Sequence, residues 1–232
     1  MSSKKVVLVT GANKGIGFEI VRQLAKQGHT VILTSRDEVK GKTAQSKLEK
    51  QNLIVDYVPM DITIEASIRE AHDRVKRRYG KLDVLVNNAA ILLKEDQSVL
   101  KDDISILQQT IDSNVYAQLW VTKIFSSIIS TGGRIIMTSS DGGSMSNPVG
   151  GWSPAYCVSK SLLNAITRHL AYELSDRKIS VNVFDPGWVQ TDMGGQSAPG
   201  SAEEGAKTAV WLATAEEVST GKFYRSCKEN DW

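Results

Sequence analysis

Tyr156 and Lys160 stand four residues apart in the run Ser153-Pro154-Ala155-Tyr156-Cys157-Val158-Ser159-Lys160. On a helix that spacing puts both side chains on one face, one turn apart. A free phenol ionises only near about pH 10 and is a poor acid–base group at neutrality. A neighbouring ammonium favours the phenolate, so the pair predicts a tyrosine able to give and take a proton. That chemistry suits a carbonyl being reduced or an alcohol being oxidised, with a cofactor carrying the hydride. The spacing alone is not specific, because Tyr224 and Lys228 repeat it near the C-terminus. Context separates the two pairs: only the first follows a polar turn, Ser139-Ser140-Asp141-Gly142, where a serine hydroxyl could hold a substrate oxygen. Asn114, a poor helix former inside a predicted helix, either reaches a water chain toward Lys160 or serves as a capping or packing residue.

A hydride carrier needs its own site. Residues 6–10 form a short apolar run, followed at once by Gly11-Ala12-Asn13-Lys14-Gly15-Ile16-Gly17 and a helical stretch. Glycines allow the sharp turn and the close approach of backbone to a pyrophosphate, and the new helix offers free N–H groups to the anion. The second apolar run ends Thr34-Ser35-Arg36-Asp37. Ser35 stands where an acid would hold a free ribose hydroxyl, and Arg36 with Lys14 would suit a 2′-phosphate. NADP is therefore the expected form, with Asp37 as the counter-argument: turned inward, it would take the hydroxyl of NAD instead. Asp61, followed by Ile62, either accepts from an adenine amino group or is a helix N-terminal acid. Asn87-Asn88-Ala89-Ala90 offers small residues beside the adenosine half, or strand-end turn formers.

The elements that would position these groups alternate along the chain. Apolar, β-branched runs at 6–10, 30–35, 55–60, 84–87, 134–138 and 180–184, with a weaker one at 222–224, read as strands. Helical stretches lie near 15–27, 38–50, 64–79, 100–129, 154–175 and 201–214. This predicts an α/β, Rossmann-type doubly wound sheet of about seven mostly parallel strands with helices on both faces. Ser153-Pro154 reads as an N-cap followed by proline, and Ser201 to Glu204 as a capping box. The loop 139–153 lies where an open sheet places a ligand, and 194–200 is a glycine-rich candidate lid.

At 232 residues the chain suits a single nucleotide-binding domain over 1–232. A hydrophobic share of 41% and a net charge of +2 are ordinary for a globular fold. Basic residues form no block suited to nucleic acid, and Lys76-Arg77-Arg78 reads as the solvated end of a helix. No apolar run would span a bilayer and no signal segment opens the chain, so a cytoplasmic setting without membrane partners is expected. Cys157 and Cys227 form neither a disulfide framework nor a metal site.

Taken together, these motifs resemble the short-chain dehydrogenase/reductase family over nearly the whole chain. Thr10 to Gly17 resembles the family's cofactor turn, and residues 87–90 its Asn-Asn-Ala-Gly motif, with Ala90 in place of glycine. The resemblance implies Asn114, Ser140, Tyr156 and Lys160 as catalytic residues, with the second serine of the Ser-Ser pair chosen. It implies cofactor contacts at Gly11, Asn13, Lys14, Gly15, Ile16, Gly17, Arg36, Asp61, Ile62, Asn88, Ala89, Tyr156 and Lys160. Pro186, Gly187, Val189 and Thr191 then resemble the turn that holds the nicotinamide carboxamide. Within the family the chain is similar to NADPH-dependent carbonyl reductases through residues 13–17, 33–37, 187–193 and the C-terminal Gly221-Lys222-Phe223 and Trp232. The alternative is an NAD(P)-dependent dehydrogenase of a sugar, steroid or hydroxyacyl substrate. Leu92, Met145, Trp152, Trp188 and Met193 are candidate walls for an apolar or aromatic ketone or aldehyde, unless they are ordinary packing. Monomeric members carry a long insertion between serine and tyrosine; its absence here implies a homodimer or homotetramer.

Overall fold

The computed structural model describes residues 4–148 and 150–232. Strands β1 (Val6–Val9), β2 (Thr30–Ser35), β3 (Asp56–Pro59), β4 (Leu82–Asn87), β5 (Ile129–Thr138), β6 (Ser180–Asp185), β9 (Phe223–Arg225) and β10 (Lys228–Asn230) form one eight-stranded sheet. A separate pair, β7 (Val189–Gln190) and β8 (Gly200–Ser201), braces the segment after β6. The helices are α1 (Gly15–Lys26), α2 (Glu38–Glu49), α3 (Glu65–Tyr79), α4 (Ile104–Ile111), α5 (Ala117–Phe125), α6 (Pro154–Glu173) and α7 (Ala202–Thr214).

The strand order is β10-β9-β6-β5-β4-β1-β2-β3, parallel throughout except for the β9–β10 hairpin. β1 pairs with both β2 and β4, so the winding reverses between β1 and β4. The loops leaving those two strands diverge there and open a crevice at their C-terminal ends. Alternating side chains build two cores. Val7, Val9, Val31, Leu33, Val84 and Val86 pack with residues of α1, α2 and α7. Leu8, Ile32, Leu85, Ile135, Met137 and Val183 pack with residues of α3, α5 and α6. Both faces of the sheet are covered, which is why its strands are apolar almost throughout.

Three elements depart from the sequence-based expectation. The sheet has eight strands, because the weak run at 222–224 is followed by a turn with positive φ at Ser226 and Cys227 and an antiparallel return. The strand expected at 134–138 begins at Ile129; Gly132, with φ of 76°, and the register shift opposite β4 absorb the irregular start. The helix expected over 100–129 is interrupted by a π-helical turn at Asp112–Tyr116 and ends in a 3-10 turn at Ser126–Ile128. The capping box at Ser201 and Glu204 forms as expected. Lys76, Arg77 and Arg78 occupy the last turn of α3.

Arg134, at the N-terminal side of the regular part of β5, is buried and reaches the end of α7. Its guanidinium donates to the carbonyls of Leu212 at 2.5 Å, Ala215, and Glu216 at 3.3 Å. These are the orphan acceptors of a helix C-terminus, and the positive charge meets the negative end of the helix dipole. Arg134→Met should lower unfolding stability by about 2–4 kcal/mol in urea titration, because buried carbonyls lose their donors. Cofactor binding by the folded fraction should not change, since the carbonyls lie at the opposite end of the sheet from the crevice.

Candidate active site

The crevice between β1 and β4 is lined first by backbone. Gly11 and Gly15 adopt φ of 61° and 58°, which only glycine takes without strain. A Cβ on Gly11 would lie 2.8 Å from Cβ of Ala89, and one on Gly17 would lie 2.5 Å from Nδ2 of Asn88. The turn is held from the other strand: Thr10 Oγ1 accepts from the N–H groups of Asn88 (2.9 Å) and Ala89 (3.0 Å), and Asn88 Nδ2 donates to the Thr10 carbonyl at 2.9 Å. Helix α1 begins at this turn with no side-chain cap and no acid in its first turn. Its first N–H groups and positive dipole end are thus free for an anion, as a pyrophosphate requires. The turn around Asn13 and Ile16 fits a dinucleotide on these grounds. Thr191 closes on the same place, with its Cγ2 only 3.3 Å from where a Cβ of Gly15 would stand.

At the end of β2, Asp37 does not turn toward the crevice. Its Oδ1 accepts from the N–H of Lys40 at 3.0 Å, capping α2. The carboxylate offered as the counter-argument is therefore engaged elsewhere, while Arg36 stands exposed at the strand end. Lys14 pairs with Asp192, in the segment that leads into the candidate lid. Asp61 Oδ1 accepts from the N–H of Thr63 at 2.9 Å and from its hydroxyl at 2.7 Å, while the next residue, Ile62, packs against the core. One oxygen of Asp61 thus serves the local turn.

The ends of β5 and β6 meet α6 at the middle of the sheet edge. Ser139 and Ser140 divide their work: buried Ser139 donates to Asn164 Oδ1 at 2.6 Å, whereas Ser140 accepts from the Gly142 N–H and lies close enough to the Tyr156 phenol to oppose the rise in its pKa. The second serine is the one that faces Tyr156. Lys160, with 0% of its surface exposed, donates to the Thr138 carbonyl at 2.8 Å, and its Nζ lies 5.3 Å from the centre of the Tyr156 ring. The two residues are thus brought together as their helical spacing predicts. The other pair is not: Tyr224 is buried in β9 and Lys228 is exposed in β10, on the two arms of a hairpin.

One electrostatic expectation is corrected. Burial pushes the Tyr156 phenol up, not down, with Ser140 opposing that rise and Asp185 and Cys157 adding to it. Burial also pulls Lys160 down to about 7. Each charged form has lost its water, and that loss is the largest influence on each group.

Asn114 sits in the π turn, fully buried. Its side chain accepts from the Ile91 N–H (2.8 Å) and donates to the Ile91 carbonyl (2.9 Å) and to Ser159 Oγ (3.1 Å). It ties the loop after β4 to α6, one residue from Lys160.

Ser153 is corrected as a cap. It takes a left-handed conformation, with φ of 39°, and its side chain caps nothing. The first N–H groups of α6 go instead to Asp96, 1% exposed, whose two carboxylate oxygens accept from Ala155 and Tyr156, each at 2.9 Å. Pattern reading missed Asp96 because it lies 59 residues upstream of Ala155, in an irregular loop. Of the candidate substrate walls, Met145, Trp152, Trp188 and Met193 are all substantially exposed, and Leu92 is half-buried. Trp152 stacks on Tyr156 with ring centres 5.9 Å apart. Trp188 donates to the Gly194 carbonyl at 2.7 Å. The Pro186-Gly187 turn is pinned by the Gly187 N–H, which donates to Asp185 Oδ1 at 2.9 Å, and Val189 is buried in β7.

Comparison with known proteins bears on the family and the fold. Residues 5–202 match the short chain dehydrogenase family model. Carbonyl reductase (NADPH) 1 of Mus musculus is 34% identical over an alignment covering 100% of this chain and 99% of that protein. The alignment runs to 280 positions, so the mouse protein carries segments that this 232-residue chain lacks. (+)-Neomenthol dehydrogenase of Arabidopsis thaliana is 31% identical, covering 95% of each chain. The structure of NADPH-bound carbonyl reductase from chicken fatty liver superposes with a TM-score of 0.88 at 28% identity, covering 99% of both chains.

Lys160 gives a signature in the cofactor-free protein. Its pKa falls from 10.5 to about 7 on folding, so between those values the unfolded chain binds the extra proton. Stability from this group therefore rises with pH from about 7 toward 10 and is lost as pH falls through 7. Thermal midpoints recorded across that window should rise, and Lys160→Met should flatten the rise. An unchanged slope in the variant would mean that the ammonium is solvated.

Proposed function

The chain belongs to the short-chain dehydrogenase family, and on that premise we propose that it reduces a ketone or aldehyde to an alcohol, reversibly, with NADPH as the cofactor. The observation that carries this reading is the meeting of Ser140, Tyr156 and Lys160 beside an uncapped glycine turn. Bound at that turn, the dinucleotide supplies the hydride. Gly11, Asn13, Gly15, Ile16 and Gly17 would cradle its pyrophosphate; Arg36, and Lys14 once it leaves its pairing with Asp192, would answer the 2′-phosphate; Asp61, Ile62, Asn88 and Ala89 would border the adenosine half; Pro186, Gly187, Val189 and Thr191 would hold the nicotinamide end.

The chemistry at the carbonyl falls to three side chains. Ser140 donates to the carbonyl oxygen and steadies it. Tyr156 passes its phenolic proton to that oxygen, and burial ensures that the proton is present at neutral pH. The phenolate so formed faces Lys160 Nζ, whose charge stabilises it. An ammonium with a pKa of about 7 is also matched to return a proton at neutral pH. Asn114 acts behind it by fixing α6 through Ser159. In the oxidative direction Tyr156 is the base. Exposed aromatic and sulfur side chains at Trp152, Trp188, Met145 and Met193, with Leu92, favour an apolar or aromatic substrate.

The same reading includes self-association of a cytoplasmic protein. Among the described residues no helix is long and apolar enough to cross a membrane. Tyr116 and Trp120 are exposed one turn apart where the π turn enters α5, and Val158 and Tyr172 are exposed on α6. A second copy of the chain, meeting these helices with its own, would remove that apolar surface from water. Sedimentation at micromolar concentration should give a dimer or tetramer, and Trp120→Glu should give a monomer. A monomeric unaltered protein would overturn the assembly but not the chemistry.

The activity itself is tested by following NADPH and NADH oxidation with a panel of aromatic and aliphatic ketones. NADPH should be preferred, and Tyr156→Phe should reduce turnover by roughly 100-fold or more, the contribution of a positioned acid. A preference for NADH would overturn the Arg36 assignment; equal turnover by the variant would overturn Tyr156 as the acid.

A further inference from the structure

Asp185, the last residue of β6, is 3% exposed yet has no full set of partners. Its Oδ1 takes the N–H of Gly187 at 2.9 Å. The backbone N–H of Asp141, in the turn after Ser140, approaches the same carboxylate. Its Oδ2 lies 3.4 Å from Nε of Arg225 without a hydrogen bond to it, and among the described residues no other donor satisfies that oxygen. The contact with Arg225 follows from the sheet: β6 and β9 are parallel neighbours with Asp185 directly opposite Arg225. Arg225 also lies 3.6 Å from the Asp141 carboxylate.

Stability does not call for this arrangement. An asparagine would accept the same bond from Gly187 without the cost of a buried charge, and a buried ion pair rarely repays its desolvation. What the carboxylate adds is a negative charge between two turns that matter. One turn carries Ser140, and the other is Pro186-Gly187. We propose that Asp185 and Arg225 are a positioning pair for the reaction: the carboxylate pins the Pro186-Gly187 turn, and Arg225, reaching both Asp185 and Asp141, holds that carboxylate and ties it to the serine turn. This rests on the reading of the site given above. Of the charged and titratable groups that bear on Tyr156, Cys157 and Lys160 lie on α6 and Asp96 accepts from its first turn, while Asp185 on β6 meets Arg225 of β9 and, through it, Asp141 after β5. Asp185 is the one among them that raises the phenol through charge from a separate strand.

The test compares Asp185→Asn, which keeps the acceptor and removes the charge, with Asp185→Ala, which removes both. NADPH binding is read by fluorescence titration and needs no turnover. Asp185→Ala should weaken it by roughly tenfold, as loss of a well-placed buried acceptor implies, and Asp185→Asn should restore most of it. With a ketone substrate, Asp185→Asn should move the alkaline limb of kcat to lower pH by about half a unit or more, because the phenol loses a like-charged neighbour. Arg225→Met should lower the thermal midpoint in the unaltered protein and have little further effect beside Asp185→Asn. NADPH binding to Asp185→Ala at full strength, an unmoved alkaline limb, or additive effects of the two substitutions on the thermal midpoint would each overturn the proposal. If no carbonyl is turned over, the functional reading fails, while the binding and thermal arms still decide the pair.

Discussion

The Lys160 ammonium has no contact with water, and its hydrogen-bond partner within the protein is the Thr138 carbonyl. Much of the structure follows from keeping it there. Thr138 ends β5, so the strand must stop at the level of the helix that carries Lys160. Gly143 must be glycine, because a Cβ would lie 2.7 Å from Cβ of Lys160. α6 must be held along its length, and it is: Asp96 binds its first turn, Asn114 binds Ser159, and Asn164 binds Ser139 and the Gly143 carbonyl. Three irregular segments, after β4, β5 and α4, converge on one helix to fix a charge that water would otherwise hold.

The polar groups left unmatched lie in the same region. Asn87 Oδ1, Gln118 Oε1, Thr138 Oγ1 and Asp185 Oδ2 are buried without hydrogen-bond partners among the described residues. Asn87, Thr138 and Asp185 each stand at the C-terminal end of a central strand, β4, β5 and β6. A core built for stability alone would not leave acceptors bare there. The sheet concentrates its electrostatic cost along the edge that borders the crevice, while its opposite end, around Arg134, is well satisfied.

How much of this was legible in the sequence depended on the range of the interaction. The glycine turn, the strand alternation, the Ser201 capping box and the Tyr156–Lys160 spacing are local patterns, and the folded chain keeps them. Ser139 and Ser140 both reach α6, but at different places: Ser139 meets Asn164 and Ser140 lies by Tyr156, a division that the sequence pattern alone does not show. What escaped was contact between distant segments. Ser153-Pro154 carries every local sign of a cap, yet the cap is Asp96. Lys14 pairs with Asp192, a partner far along the chain that no local pattern shows. Helix 100–129 reads as continuous, because a π turn is set by where Asn114 must point rather than by propensity. The direction of the Tyr156 shift escaped for a related reason: charge proximity is visible in a four-residue spacing, whereas loss of water is a property of the whole packed site.

The Asp96 cap has a consequence for how the chain assembles. A helix whose first N–H groups are satisfied by its own preceding residue can start locally, as α7 does with Ser201. α6 cannot, since its cap arrives from a segment on the far side of α4 and α5 in the chain. Its first turn, which holds Tyr156, becomes fully ordered only after the loop at 92–98 has docked. The amides of Ala155 and Tyr156 therefore report on tertiary docking rather than on helix content, and any opening of that loop unwinds the acid before it disturbs the sheet.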